Sequence, residues 1–253
     1  MTDTFDEYAY YYNLFYKDKD YAKETQDVDS LLEKYGIKNR DIIVYGCGTG
    51  SHDREFINLG YRCHGVDMSS GMIDVARKFA AEGNYDIQYE VGDIRIYEPA
   101  RQYDAVVSLF HVISYQNSNE DIINSFRSAR RAVDTGGLFL FDAWYGPGVL
   151  TDRPVVRIKE VEDERNKLIR HARPVMHADR DVVDVNYEIL IIDKETSIIK
   201  TINEVHQMRY FFKPEISYFL ENTGFKLLAA VSCDTLKEAD YSSWTAYFVA
   251  KAI

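Results

Sequence analysis

The sequence predicts an α/β protein in which helices cover a mostly parallel sheet and an antiparallel β-sheet is inserted after the fifth strand. Three observations carry this prediction. Five short apolar runs alternate with segments of helical period between Ile42 and Ala143. The first run ends in the glycine turn Gly46-Cys47-Gly48-Thr49-Gly50, as expected of a buried parallel strand feeding a helix. After Gly146-Pro147-Gly148 the pattern changes to alternating faces, the period of half-buried strands.

The elements follow in order. Tyr8, Tyr10, Tyr11, Tyr12, Leu14, Phe15 and Tyr16 make an aromatic N-terminal arm, whose apolar rings with polar tips suit a lid over a pocket. A helix after Asp20 carries Val28, Leu31, Leu32 and Tyr35 at helical spacing and stops at Gly36. Strand one and its glycine turn lead to a helix that Ser51 or Asp53 is expected to cap. Strand two ends at Asp67, and Ser69 or Ser70 caps the next helix, which carries Met72, Ile73, Ala76 and Ala80. Strand three, near Ile87 to Val91, runs into Gly92-Asp93-Ile94. Strand four is Tyr103 to Phe110, and a capping box at Ser118 to Asp121 opens another helix. Strand five spans Leu138 to Ala143. Four alternating strands are then expected at Val155–Val161, Lys167–Met176, Val182–Ile192 and Ile198–Phe212. A helix with Pro214 in its first turn and two last strands, near Phe225–Cys233 and Trp244–Ala250, close the chain.

Ligands of such a sheet gather at the carboxyl ends of its strands. Here those ends are the glycine turn, Asp67, Asp93, Phe110–His111 and Asp142–Trp144. An acid about 20 residues after a glycine turn is placed to accept from ribose hydroxyls. The turn reads G-x-G-x-G, and Ser51 stands where a dinucleotide fingerprint would have its third glycine. A nucleoside-like ligand without a pyrophosphate is therefore favoured over a nicotinamide dinucleotide.

Composition narrows the classes further. The chain has 253 residues and is 46% apolar, enough for one large domain with an insertion. Its net charge of −11 argues against non-specific nucleic-acid binding. Three scattered cysteines, Cys47, Cys63 and Cys233, form neither a disulfide framework nor a metal cluster. With no signal peptide and no apolar run of membrane length, a cytoplasmic protein is expected.

The stretch from Ile42 to Met72 resembles motif I and the following acidic strand end of class I S-adenosylmethionine (SAM) methyltransferases. It departs from them at Val44, where the family usually has an acid. The runs Tyr12–Tyr16, Ser108–Tyr115 and Glu204–Phe211 are similar to those of bacterial N,N-dimethyltransferases that act on nucleotide-linked amino sugars. The resemblance implies a Rossmann-like seven-stranded methyltransferase sheet, with residues 1–150 and 213–253 binding SAM and residues 151–212 lining the substrate pocket. It assigns the cofactor to Tyr21, Gly46, Cys47, Gly48, Gly50, Asp67, Met68, Met72, Asp93, Ile94 and Leu109, with Asp67 on the ribose and Asp93 on the adenine. It assigns the substrate to Tyr12, Tyr16, Phe110, Tyr115, Trp144 and Arg209, with the Arg209 fork on a phosphate. The implied partner is a small molecule, a nucleotide-linked sugar, with no nucleic acid or membrane, and a homodimer remains open.

An amine must lose a proton before or during attack on a sulfonium carbon, and a positioned His or Tyr is enough for that. His206 and His111 are the histidines expected at the pocket, with Tyr12 as a further catalytic candidate, whereas His52, His64, His171 and His177 read as structural or solvated. Alternation along the last inserted strand places His206 with Glu204 and Met208, and Arg209 on the opposite face. No metal-ligand spacing is present, which favours nitrogen over oxygen as the acceptor. O-methylation of a sugar, N-methylation of another small amine and an inactive SAM-fold binding protein are the alternatives.

Overall fold

The apolar run Asp41–Tyr45 forms β1, flanked in parallel by β2 (Arg62–Asp67) and β4 (Tyr103–Ser108). The structure, a computed structural model, describes the backbone of residues 9–253 and the side chains from Tyr11 onward. Tyr8 and the Tyr10 side chain lie outside the described residues. Parallel β3 (Gln88–Val91) lies beyond β2, and β5 (Val133–Tyr145) beyond β4. Two more strands, β10 (Phe225–Ser232) and β11 (Thr245–Ala252), extend the sheet on the β5 side. The order is β3-β2-β1-β4-β5-β11-β10. Only β11 runs against the rest, since it is antiparallel to both β5 and β10.

The inserted segment is an antiparallel meander of β6 (Arg157–Glu162), β7 (Asn166–His177), β8 (Val182–Asp193) and β9 (Ile199–Phe211). It is not separate from the main sheet. The end of β9 pairs in parallel with the end of β5, Trp144 opposite Tyr210 and Tyr145 opposite Phe211. That junction sets the wall of the insertion beside the strand tips.

Helices cover the main sheet. The short helix α1 (Ala9–Phe15) is followed by α2 (Tyr21–Tyr35), where Asp20 Oδ1 accepts from the Lys23 N–H at 2.8 Å. Gly36, at φ 90°, ends α2. Helix α3 (Ser51–Asn58) departs from expectation, because neither Ser51 nor Asp53 caps it. Gly50, left-handed at φ 71°, is itself the cap residue, so the helix emerges directly from the glycine turn. In α4 (Ser70–Glu82), Ser69 Oγ accepts from the Met72 N–H, and in α5 (Asn119–Arg131), Ser118 Oγ accepts from the Asp121 N–H. The short α6 (Gly146–Thr151) leads toward the insertion, and α7 (Lys213–Glu221) leads out of it.

One core layer stacks Phe126, Phe139, Phe141 and Phe248, all fully buried, with ring centroids 4.7 to 5.3 Å apart. The layer on the other face joins Val28, Leu32, Phe56 and Ile73. A third cluster seats Phe15 of α1 on Leu168, Ile189 and Ile202 of the inserted sheet. The aromatic arm is therefore packed against the insertion.

Candidate active site

The parallel strands end along one edge, where a cavity of about 480 Å³ opens. One end is formed by Gly46, Cys47, Gly48, Asp67, Met68, Met72, Asp93 and Ile94. The other is formed by Tyr115, Trp144, Tyr187, His206 and Met208. Leu109, Phe110 and His111 lie in its wall, as do Tyr12, Tyr16 and Tyr21 from the arm and the start of α2.

Two residues expected at this site are not in the cavity wall. Gly50 faces the support beneath the turn, and a Cβ there would collide with the Tyr89 hydroxyl. Arg209 lies in a smaller adjoining pocket with Asn117, Asn119, Arg180, Val182 and Gln207. Its guanidinium pairs with Glu215 and lies 5.1 Å over the Phe211 ring. Asn117 and Gln207 line both spaces, so the two adjoin.

The end expected to take the cofactor combines open backbone with held carboxylates. Gly46 and Gly48 both take positive φ, 69° and 55°. A Cβ at Gly46 would strike Val112, whereas one at Gly48 would meet nothing within 4 Å, so the backbone there faces open space. Asp67 Oδ2 accepts from the Gly48 N–H and Oδ1 from the Ser69 N–H, both at 2.9 Å. The carboxylate expected to meet the ribose thus also fixes the glycine turn. Val44 is buried in the core beneath it and supplies no acid. Asp93 is gripped by Arg95 through its backbone N–H and its guanidinium, which also reaches Asp121 at 3.2 Å. Burial alone would raise the Asp93 carboxyl, but the Arg95 contacts outweigh it and hold it below its ordinary range.

The arm closes over the middle. Thr49 Oγ1 in the glycine turn donates to Asn13 Oδ1 at 2.7 Å. Tyr12 and Tyr16 meet the Phe110 ring edge-on at 6.2 and 5.0 Å. Arg170 of β7 lies over Phe15 and Tyr187, and its Nη1 donates to the Tyr16 hydroxyl at 3.1 Å. In α2's first turn, burial raises the Glu24 carboxyl, but His52 and Lys19 more than reverse this and bring it to about 2.

Three histidines line the cavity, His52 against expectation among them, and the other two, His111 and His206, differ in what holds them. Phe110 and His111 both sit at φ 65°, an unusual conformation for consecutive non-glycine residues. Buried Asp142 holds it there, since Oδ1 accepts from the His111 N–H at 2.8 Å and Oδ2 lies 2.7 Å from Nδ1. His206 is engaged at both nitrogens, with Nε2 2.9 Å from Glu204 Oε2 and Nδ1 2.8 Å from the Tyr115 hydroxyl. His64 is buried against the Tyr103 hydroxyl, and His177 meets Asp184 at 2.9 Å, both away from the cavity wall.

Sequence reasoning passed over Tyr187, Gln207 and Asn117 in the cavity wall and Arg180 in the adjoining pocket. Period-two alternation puts Val183, Val185 and Tyr187 on one face of β8, a signal that could have found Tyr187. The loop asparagine and Arg180 carry no such signal.

Residues 42–137 match the family described as "Methyltransferase domain". The protein is a SAM-dependent methyltransferase. Over 223 residues this methyltransferase is 24% identical to dTDP-3-amino-3,4,6-trideoxy-alpha-D-glucopyranose N,N-dimethyltransferase of Streptomyces venezuelae, covering 87% of this chain and 91% of the relative. A SAM-dependent methyltransferase from Clostridium acetobutylicum superposes with TM-score 0.82 at 18% identity, covering 98% of both chains. Streptomyces venezuelae DesVI superposes with TM-score 0.80 at 22% identity, covering 97% of this chain and 98% of that one. The methyltransferase shows no group of three or more His, Cys, Asp or Glu that could hold a metal among the described residues. No helix among those residues is long and apolar enough to cross a membrane.

Proposed function

We propose that this methyltransferase methylates the amine of a nucleotide-linked amino sugar. The observation that carries the reading is the single cavity that runs from the glycine turn to the inserted sheet, joining a nucleoside-shaped end to an aromatic end with two held histidines. The Streptomyces relative, by its name, acts on a dTDP-linked 3-amino sugar, which supports the acceptor class.

At the first end, the Gly46–Gly48 backbone would cradle the amino-acid tail, Asp67 would accept from the ribose, and Asp93 with Ile94 would meet the adenine. Bound there, SAM supplies a methyl group on a sulfonium sulfur, which leaves as a neutral thioether when the C–S electron pair returns to sulfur. Tyr12, Tyr16, Phe110 and Trp144 exclude water and hold the sugar ring near that carbon. The acceptor nitrogen attacks with its lone pair and then carries a surplus proton. His111 takes it, and the Asp142 carboxylate, 2.7 Å from Nδ1, stabilises the cation that forms. The diphosphate extends past Asn117 and Gln207 toward Arg180 and Arg209, a pair of planar donors suited to phosphate oxygens. In this reading residues 151–212 form the acceptor wall and the rest of the chain holds SAM.

The test is to incubate the protein with labelled SAM and matched dTDP-amino and dTDP-hydroxy sugars, and to read mass gain. Gain of one or two methyl groups on the amino sugars alone is expected. Transfer to the hydroxy sugars alone, or to none with SAM bound, refutes the reading.

A further inference from the structure

Resting on an amine acceptor, we propose that Tyr115 receives the N–H of the substrate amine, and that Glu204, acting through His206, sets the direction of the Tyr115 hydroxyl that makes this possible. Glu204 and His206 are both buried, at 7% and 5% exposure, side by side on one face of β9. The carboxylate only accepts hydrogen bonds, so its 2.9 Å contact places the ring proton of neutral His206 on Nε2. Nδ1 is then a lone pair, and the 2.8 Å contact with Tyr115 is a hydroxyl donating to nitrogen. Tyr115 has one proton, so whatever meets its oxygen from the cavity must be a donor.

An amine meets that demand. A primary or secondary amine donates an N–H to the Tyr115 oxygen and keeps its lone pair for attack. A neutral tertiary amine has no N–H to give. The same contact therefore serves a first and a second methylation and lapses before a third. His206 is surrounded as such a role needs: the Tyr187 ring lies 4.8 Å away, with the Arg170 guanidinium over that ring, and Met208 is buried on the same face of β9. Glu204 and His206 are positioning residues in this arrangement, while Tyr115 touches the substrate. No proton leaves the Tyr115–His206–Glu204 chain during turnover, since the surplus proton goes to His111.

Four measurements test this. The ¹⁵N spectrum of the wild-type protein should show the His206 proton on Nε2, a result independent of any acceptor. Glu204→Leu should lower kcat/KM for the amino sugar by about 10-fold or more, with SAM affinity within about twofold of wild type. Glu204→Gln, whose amide oxygen can still accept the Nε2 proton, should recover most of that loss, which a purely structural change or a need for charge would not produce. In Glu204→Leu/Tyr115→Phe, the loss should be no greater than in Tyr115→Phe alone. A His206 proton on Nδ1, a silent Glu204→Leu, or losses that multiply in the double variant overturn the proposal while leaving amine transfer by the wild type intact. Transfer to hydroxy sugars alone removes the acceptor reading itself and this inference with it.

Discussion

At the scale of single residues, the carboxylates under the glycine turn have different tasks. Asp67 holds the Gly48 and Ser69 N–H groups and faces the cavity, whereas Asp93 is already gripped by Arg95. Removing Asp67 therefore loses both a ribose acceptor and the anchor of the turn. Asp67→Ala should weaken SAM binding by about 10- to 100-fold in calorimetry, as charged hydrogen bonds of about 1.5–3 kcal/mol require, and Asp93→Ala by less. Equal losses would show that the turn does not depend on Asp67. Asp53 behaves differently again. It is fully buried at the start of α3, with the Tyr89 hydroxyl beside its carboxyl. Burial lifts its carboxyl to about 7, against the weaker downward pull of Arg54. Below its ordinary value of 3.8 both folded and unfolded chains hold the proton, and between there and about 7 only the folded chain does. Stability from this group thus falls as pH rises through that window. Asp53→Asn should raise the melting temperature more at pH 8 than at pH 5, and equal gains at the two values would contradict the burial argument.

At the scale of elements, the arm is held from both sides. Asn13 ties α1 to the glycine turn, and Arg170 and Lys159 tie it to the inserted sheet. Arg170 stacks on Phe15 and Tyr187 and meets Tyr16, so it joins arm, sheet and cavity wall. Arg170→Ala should speed hydrogen exchange across residues 11–16 by about tenfold or more while leaving exchange in β1 and β4 unchanged. Unchanged exchange in the arm would assign its order to the Phe15 cluster alone. The sequence shows these elements unevenly, for physical reasons. The buried parallel strands are legible because they are continuous apolar runs, and the inserted strands because one face of each is buried. The start of α3 is not legible as a side-chain cap, because backbone geometry at Gly50 replaces the cap. Arg209 reads as a pocket residue from its type, but strand alternation and the Glu215 pair turn it into the neighbouring space. The Glu204–His206 alignment follows from period two, while the Tyr115 partner 91 residues away depends on how the insertion docks. Such docking contacts carry no local signal.

At the scale of the whole molecule, the decisive feature is where the two sheets join. The last residues of β5 pair with β11 on one side and β9 on the other, so Trp144 stands where the main sheet, the insertion and the cavity meet. Its ring lies 4.6 Å from Trp244, and these are the chain's 2 tryptophans. Both indoles are therefore at the acceptor end, with β4 lying between β5 and the β1 strand that carries the glycine turn. Tryptophan emission should respond little when the demethylated cofactor product binds, and strongly when an amino sugar is added afterwards. Trp144→Phe should remove most of the second response and raise KM for the acceptor by several-fold, with cofactor affinity held within about twofold because nothing at the glycine turn has changed. A large signal from the cofactor product alone, with none from the acceptor, would mean that the ends of the cavity are not divided between nucleoside and sugar as the strand tips and the inserted wall imply.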